Sequence, residues 1–219
     1  MHSNTLEYKN FLKISIELKF SECKSEFMKS KLVRCWNTEN PLYITYHDKE
    51  WGVPVHEDKK LFELLVLEGF QAGLTWELVL KRRDALKAAF AGFNPVTVAS
   101  FSTAEAEKIL KNPDVIRNRA KIHATINNAK QFIQVKNEFG SFDKFIWQFV
   151  NGKPIDHAFK SMSEMPPQTD ESRAMSKELK KRGFKFVGPT ICYAFMQGIG
   201  MVNDHLTNCF RYKQVQKGA

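Results

Sequence analysis

Two cysteines and two histidines have the residue types of a metal site. His205 and Cys209 are four residues apart, a spacing that places two side chains on the same face of a helix. Zinc commonly binds imidazole nitrogen and thiolate sulfur, and a structural tetrahedral site needs four ligands. Cys35 and His47 are the natural partners for the other two positions. Taken alone, His47 is better explained as a hydrogen-bonded or surface histidine. The set of four instead predicts a structural zinc site that joins both ends of the folded region and leaves no open position for water.

Glu68 is a carboxylate beside a strongly apolar segment, residues 61–67. Burying a carboxylate is costly unless it is paired or used by the protein. In one interpretation, Glu68 accepts hydrogen bonds from the turn that follows it. In the other, Glu68 faces a cationic or proton-donating ligand inside an aromatic cage. The aromatic residues available as walls are Tyr46, Trp76, Trp51 and Trp36.

A basic hairpin is predicted between residues 176 and 196. Ser176 is a suitable N-cap for a short basic helix, and Gly183 suits its left-handed end. Lys185 to Gly188 then form a tight turn before Pro189 starts a second helix, whose first N–H groups can hold a phosphate. The basic residues around this position are Lys180, Lys181, Arg182 and Lys185. The pattern indicates a helix-hairpin-helix DNA-binding element, and an ordinary helical hairpin with a solvated basic face is the alternative.

Composition limits the class of protein. The 219 residues are 43% hydrophobic, enough for one sizeable domain with a core, and 33 basic against 24 acidic residues give a net charge of +9. A polyanionic partner, nucleic acid above all, is favoured. Four cysteines without a CxxC pair fit a reducing cytoplasm. The sequence contains no apolar run of transmembrane length and no signal peptide, so we expect a cytoplasmic protein without membrane contact.

Hydrophobic periodicity is helical almost throughout, which predicts an all-α fold. Asp58, Thr75, and Ser102 or Thr103 are the expected caps of three of the helices. Residues 151–169 read as a loop, and only residues 96–98, with residues 14–20 near the start of the chain, suggest strands. Helices are predicted at residues 59–68, 76–90, 103–111, 116–138 and 142–150.

Seven motifs occur in an order that characterises one family. They are YHDKEWG, LEGFQAGLTW, RNRAKI, NAK, EFGSF, KKRGFKFVGPTICYAFMQ and VNDHLTNC. Together they closely resemble the 3-methyladenine DNA glycosylase I family over residues 34–211, which leaves residues 1–33 as a leader and 212–219 as a C-terminal tail. The resemblance implies an all-α helix-hairpin-helix glycosylase with a structural zinc site that joins the N- and C-terminal segments. It also implies hydrolysis of the N-glycosidic bond of 3-methyladenine in alkylated double-stranded DNA, the start of base excision repair, by a monomer.

The resemblance also assigns roles by position. Cys35, His47, His205 and Cys209 match the zinc ligands. Glu68 matches the base-recognising carboxylate and is the expected catalytic residue. Tyr46 and Trp76 match residues that contact the base, and Tyr43, Trp51 and Trp36 are expected to complete the pocket. The expected DNA contacts are Gln71, Gly73, Leu74, Lys185, Gly188 and Thr190, with Leu74 as the wedge.

Two further expectations concern the chemistry. Asn203 occupies the position where many helix-hairpin-helix glycosylases carry a catalytic Asp, and its neighbour Asp204 is expected either to serve in catalysis or to orient His205. No lysine is identifiable as a Schiff-base nucleophile, which predicts a monofunctional glycosylase that leaves the strand intact.

Two other classes of protein are the alternatives. A non-enzymatic zinc and DNA-binding module would use the hairpin for phosphates and the aromatic residues as core. A metal-dependent hydrolase would use the same ion as its catalytic centre, and its coordination sphere would have an open position.

Overall fold

Helices make up most of the fold. A computed structural model describes residues 32–217; the predicted leader, with its strand-like residues 14–20, lies almost entirely outside them. The α-helices are α1 (Pro41–Lys49), α2 (Asp58–Gln71), α3 (Trp76–Ala89), α4 (Pro95–Ala99), α5 (Thr103–Lys111), α6 (Arg119–Phe139), α7 (Phe142–Trp147), α8 (Asp170–Lys181), α9 (Pro189–Gly198) and α10 (Tyr212–Lys217). Short 3-10 helices span Ala91–Phe93, Gln148–Val150 and Met162–Glu164. Strands β1 (Ile155–Asp156) and β2 (Val202–Asn203) pair in parallel, with Ile155 opposite Val202.

Side-chain caps explain where several helices begin. Thr75 accepts the Leu78 N–H at the start of α3. Ser102 and Glu105 form a reciprocal capping box at the start of α5, which satisfies two otherwise free groups. Both predicted helices and their caps are confirmed. Asn118 does the same for α6 by accepting the Lys121 N–H, so this helix begins at Arg119, three residues later than predicted.

The predicted strand at residues 96–98 and the predicted cap and end of the helix at residues 59–68 are wrong. Residues 96–98 lie in helix α4 instead of a strand, because Asn94 accepts the Val96 and Thr97 N–H groups and Pro95 occupies the first turn. Asp58 is the first residue of α2 and does not cap it. The Asp58 carboxylate instead accepts the Asp143 N–H at the start of α7, 3.0 Å away. Helix α2 also continues past Gly69 to Gln71.

The core is built around α2. The residues of α2 from Leu61 to Phe70 are almost all buried, and burying each large apolar side chain stabilises the fold by roughly 1.5–3 kcal/mol. Phe62 contacts Phe132 of α6 with ring centroids 5.2 Å apart, and Phe132 stacks on Phe142 of α7 at 4.2 Å. Helix α9 lies against both α2 and α8. Residues 34–217 form one compact unit.

A helix that crosses a membrane is both long and strongly apolar. Within residues 32–217, no helix combines the length and the apolarity that a membrane crossing requires.

Candidate active site and metal centre

A small aromatic cavity of about 180 Å³ lies between α1, α2, α3 and α9. Its volume is below the 300–1,000 Å³ typical of drug-sized ligand pockets, so it suits a ligand of about one nucleobase. All five aromatic residues expected from the sequence line it. The lining residues are Trp36, Tyr43, Tyr46, Trp51, Glu68, Gln71, Trp76, Met162, Met165, Ala194 and Gln197.

The aromatic side chains of the cavity contact one another. Trp36 is stacked over Tyr46 at 6.2 Å with an interplanar angle of 14°, and Tyr46 contacts Trp76 at 5.2 Å. Trp36 also packs against Trp51 at 4.8 Å and meets Tyr43 edge-on at 5.7 Å. These mutual contacts hold the rings in place before any ligand arrives, which lowers the entropic cost of stacking a planar guest.

Glu68 and Trp76 bring two unpartnered polar atoms into this cavity. Glu68 is 3% exposed, and burial raises the pKa of its carboxyl group to about 8. Neither Glu68 Oε2 nor Trp76 Nε1 has a hydrogen-bonding partner among the described residues. Buried polar groups are rarely left unpaired in native proteins. One acceptor and one N–H donor in an aromatic cavity therefore match the polar edge of a flat heterocycle.

The other side of the cavity includes residues that sequence reasoning missed. Met162 and Met165 come from the segment predicted as a plain loop, so no periodic signal pointed to them. Ala194 and Gln197 are three residues apart on α9, a spacing that places them on one face. That spacing was visible in the sequence. Gly198 permits the close approach of α9, because a Cβ there would lie 3.1 Å from the Tyr46 hydroxyl.

Asp204 takes part in a buried hydrogen-bonding network, not in orienting His205. Its carboxylate accepts hydrogen bonds from Tyr193 Oη at 2.6 Å and from Gln197 Nε2 at 2.7 Å, and it pairs with His157 Nδ1 at 2.6 Å. The hydrogen bond to Asp204 raises the pKa of His157. The expectation that Asp204 orients the neighbouring imidazole is therefore wrong. Asn203 is also structural, since its side-chain oxygen accepts the His205 N–H at 3.3 Å.

Cys35, His47, His205 and Cys209 meet in one buried cluster. Their ligand atoms all lie within 4.8 Å of one another. Cys35 Sγ is 3.4 Å from His205 Nδ1, and Cys209 Sγ is 3.5 Å from His47 Nε2. Separations of this order suit a single ion bound at about 2.0–2.3 Å. The hydrogen bond from the Cys35 thiol, followed by those from the two imidazoles, lowers the pKa of the Cys209 thiol. A buried group that favours a thiolate among imidazoles can bind a metal ion.

The outer nitrogens of both imidazoles are held by other groups. His47 Nδ1 lies 2.8 Å from Asp48 Oδ1, and Arg34 binds the same carboxylate at 2.7–3.1 Å. His205 Nε2 lies 3.0 Å from the Trp51 carbonyl. Both rings can then donate their outer N–H and direct the other nitrogen inward, an arrangement common among metal-binding histidines.

The local structure of His205 and Cys209 differs from the prediction. They follow β2 in a series of turns instead of a helix, and the Cys209 N–H donates to the Leu206 carbonyl at 2.7 Å. The turn brings the two side chains together as a helix would. The cluster is also separate from the cavity, because Trp36 packs on His47 at 5.1 Å and Trp51 on His205 at 4.6 Å.

A surface loop follows α2 directly beside the cavity. Gln71 ends the helix and Gly73 has a φ of 74°, a conformation that glycine adopts without strain. The Leu74 N–H donates to the Gln71 carbonyl at 2.7 Å. This turn leaves the Leu74 side chain 38% exposed at the tip of the loop, beside the cavity.

The hairpin between α8 and α9 differs in part from the prediction. Thr169 caps α8, whereas Ser176 lies within that helix and donates to the Val187 carbonyl at 2.6 Å. Gly183 has the predicted left-handed conformation, with a φ of 87°. Gly188 and Thr190 lie at the start of α9, where the first main-chain hydrogen bond runs from Cys192 N to Gly188 O. The N–H groups of Thr190 and Ile191 precede that bond and remain available for an anion.

The basic side chains near the hairpin differ in whether acidic residues pair with them. Arg182 binds Glu138 with two hydrogen bonds, at 2.6 and 3.0 Å, and Glu178 at 2.7 Å. Its charge is therefore offset within the protein, which makes it a weaker attraction for a phosphate than an unpaired basic residue. Lys180, Lys181 and Lys185 are exposed.

Comparison with known proteins identifies the family. The sequence model of one protein family, described as methyladenine glycosylase, matches residues 36–212. DNA-3-methyladenine glycosylase 1 of Escherichia coli (strain K12) is 49% identical over 180 residues, which cover 82% of this chain and 96% of that protein. A crystal structure of 3-methyladenine DNA glycosylase I matches with a TM-score of 0.79 and 49% identity, over 81% of this chain and 98% of that one. The Staphylococcus aureus enzyme, described for the structural basis of its 3-methyladenine recognition, has a TM-score of 0.79 and 36% identity, over 80% and 94% of the two chains. This chain belongs to the methyladenine glycosylase family.

Proposed function

We propose that this protein is a DNA-3-methyladenine glycosylase, which hydrolyses the N-glycosidic bond of 3-methyladenine in alkylated double-stranded DNA and so starts base excision repair. The observation that carries this proposal is the pair of unpartnered atoms, Glu68 Oε2 and Trp76 Nε1, inside a cavity lined by aromatic rings. The related enzymes from E. coli and S. aureus carry the same activity or base in their names.

Recognition rests on charge and on shape. The alkylated adenine in DNA is cationic, and contact with the faces of the aromatic walls, Tyr46 and Trp76 among them, favours such a ring. Its arrival gives the buried Glu68 carboxylate the partner that the free protein lacks. Trp36, Tyr43 and Trp51 limit the width of the cavity and exclude bulkier lesions. Flipping a base out of the duplex costs a few kcal/mol, least for damaged pairs, which adds selectivity.

Bond cleavage needs little further assistance. When the bond between C1′ and N9 breaks, its electron pair neutralises the charge of the departing base. A water molecule adds to C1′ and loses a proton, which leaves an abasic site. Glu68 is the catalytic residue in this proposal, because its carboxylate faces the reacting base and favours the cationic form, whose N-glycosidic bond breaks easily.

The loop after α2 and the hairpin between α8 and α9 are proposed to engage the duplex. Gln71, Gly73 and Leu74 form the first contact, with the exposed Leu74 side chain as the wedge that fills the space of the flipped base. Gly188 and Thr190 offer main-chain N–H groups to a phosphate, and Lys185 adds charge. These contacts would make α8, the hairpin and α9 a helix-hairpin-helix element.

The cluster of two cysteines and two histidines is proposed to bind a structural zinc ion. All four residues are buried and each offers one ligand atom, so the ion would hold Cys35 and His47 against the turns that carry His205 and Cys209. Zinc chemistry supplies strong binding to thiolate and imidazole without redox activity. The aromatic rings between the cluster and the cavity argue against the metal-dependent hydrolase, whose ion must reach the substrate.

We further propose that the protein acts as a cytoplasmic monomer, with the activity in residues 34–211. Thiols that must stay reduced to bind a metal favour a reducing compartment. The cavity, the wedge loop and the hairpin all come from one chain, so the site needs no residue from a partner.

Release of bases from methylated duplex DNA, identified by chromatography, tests the function. We expect wild-type protein to release free 3-methyladenine, and Glu68→Gln and Trp76→Phe to do so much more slowly. Glu63→Gln is the matched control, because Glu63 lies on the same helix but pairs with Arg83 away from the cavity. No release by folded wild-type protein would leave the non-enzymatic DNA-binding module as the better description.

The same reactions test whether the strand is cut. We expect product strands to stay full-length until heat or alkali is applied, because the proposal has no lysine nucleophile. Strand cleavage by highly purified protein without such treatment would contradict the monofunctional mechanism.

A further inference from the structure

Lys121 is a buried cation that the proposed mechanism does not use. It lies in the first turn of α6 and is 5% exposed. Its ammonium group donates to two main-chain carbonyls, Phe70 O and Ala72 O, each at 2.6 Å. Among the described residues, no carboxylate pairs with it. A buried lysine without an anion is expensive, so its two short hydrogen bonds need an explanation.

The two carbonyls lie at the end of α2. Phe70 is in the last turn of the helix and Ala72 is its C-cap, where unpaired carbonyls and the helix dipole both attract a cation. The chain then turns through Gly73 to the exposed Leu74. The Lys121 ammonium therefore fixes the point at which the loop leaves the helix, two residues before its apolar tip.

The same lysine also contacts the hairpin between α8 and α9. Its ammonium lies 5.9 Å from the centroid of the Phe186 ring. Phe186 in turn lies over Gly69, where an added Cβ would be 3.5 Å from Phe186 Cβ. Farther along α6, Asn128 exchanges two hydrogen bonds with the Lys185 main chain, at 2.8 and 2.9 Å. Helix α6 thus holds both loops, and Lys121 lies where they meet.

We propose that Lys121 is a positioning residue for duplex opening: it holds the loop from Ala72 to Thr75 so that Leu74 enters the duplex in register with the hairpin. The inference rests on the proposed function and adds to it. Lys121 is not among the residues that line the cavity, so it acts on strand opening and not on recognition in the cavity. A misplacement of about 1 Å in a positioning element can reduce the rate by about a hundredfold.

Lys121→Met tests this role, with Lys130→Met as the matched control. Lys130 lies on the same helix but is exposed, so the control removes the same charge without releasing the loop. Three readouts are compared: kcat/KM on methylated duplex, kcat/KM on the same methylated strand alone, and binding of free 3-methyladenine by tryptophan fluorescence. We expect Lys121→Met to lose roughly tenfold to a hundredfold on duplex, with both other readouts within about twofold of wild type. Lys130→Met should match wild type throughout.

A double variant separates positioning from general damage. If Lys121 acts through Leu74, then Leu74→Ala should reduce duplex excision much less in the Lys121→Met protein than in wild type. Equal losses on duplex and single strand, or full additivity of the two changes, would overturn the proposal. If Lys121→Met does not fold, Lys121→Gln keeps a polar group in the site and is judged by the same comparison.

The proposed function fails separately from this inference. Absence of base release by wild-type protein would contradict the function. A wild type that releases 3-methyladenine, with an equally active Lys121 variant on duplex, would contradict only the role of Lys121.

Discussion

Glu68 is a buried carboxylate in a cavity whose other walls are aromatic or weakly polar. Burial raises its pKa to about 8, from 4.5 for an ordinary glutamate. At pH values between these two pKa values, Glu68 keeps its proton in the folded protein but has lost it in the unfolded chain. The free energy of unfolding must then fall as pH rises through this window, by at most about 1.4 kcal/mol per pH unit.

Replacing Glu68 by glutamine should therefore stabilise the protein at neutral pH. The amide cannot ionise, so the variant should have a higher melting temperature than wild type at pH 7.5, and the difference should shrink towards pH 5. Thermal unfolding at both pH values measures the effect, and a difference independent of pH would contradict it. Such a gain in stability with a loss of activity is expected when a site is kept for function.

The activity should also depend on the ionisation of Glu68. A cationic base binds best to the carboxylate form, so kcat/KM on methylated duplex should rise from pH 6 to about 8, the pKa of this group, and then level off. Glu68→Gln should lose this rise along with most of its activity. Initial rates of base release at low substrate concentration, across that range, provide the measurement. A flat wild-type profile would show that Glu68 is not the titrating group.

The sequence predicts the residues of this site unevenly. The five aromatic residues and Glu68 lie in two short stretches, where clustered rings and an apolar helix with one acid mark them as unusual. Met162 and Met165 arrive from a loop whose course depends on tertiary packing. Gln197 has the right spacing on α9, but its bond to Asp204 depends on the distant turn after β2.

At the scale of elements, the hairpin and the loop after α2 are held by α6. Asn128 and Lys121 of this helix bind main-chain groups of the hairpin and of α2, respectively. Sequence periodicity predicts α6 as a long amphipathic helix, but it does not reveal which polar residues on it contact other elements. Ser176 illustrates the same limit, because a serine that looks like a cap bonds across to Val187 instead.

Two substitutions at the hairpin that each remove one positive charge should differ in their effect on DNA binding. Lys185 is exposed, so Lys185→Ala should weaken binding to damaged and undamaged duplexes alike and reduce the slope of log K against log salt by about one. Arg182 is already paired with Glu138 and Glu178, so Arg182→Ala should leave that slope unchanged. Fluorescence anisotropy with labelled duplex at several salt concentrations measures both. Similar changes in slope for the two variants would contradict this distinction.

At the scale of the whole molecule, the Cys and His cluster joins distant parts of the chain. Cys35 contacts His205 across 170 positions, and His47 contacts Cys209 across 162. The residue types predict this pairing from sequence, because few other residues can bind the same ion. The residue types do not predict the local structure around His205 and Cys209. A helix and a tight turn can both bring together two side chains that are four residues apart.

Removal of the proposed metal ion should unfold the protein and inactivate it together. A structural ion supports the walls of the cavity only through the fold, so activity and near-ultraviolet circular dichroism should be lost at the same chelator concentration. Cys209→Ser should show a lower melting temperature without added chelator. Activity lost while the circular dichroism signal persists would favour a catalytic ion.

The contacts of the cluster also determine how the fold bears mechanical load. Arg34 and Tyr212 lie just outside its four residues in the chain, and helices α1 to α9 all lie between them. A force applied between these two positions, as in a single-molecule pulling experiment, would reach the cluster before it reaches the core. Breaking of the cluster would then appear as a separate first step in the measured extension, before the helices unfold.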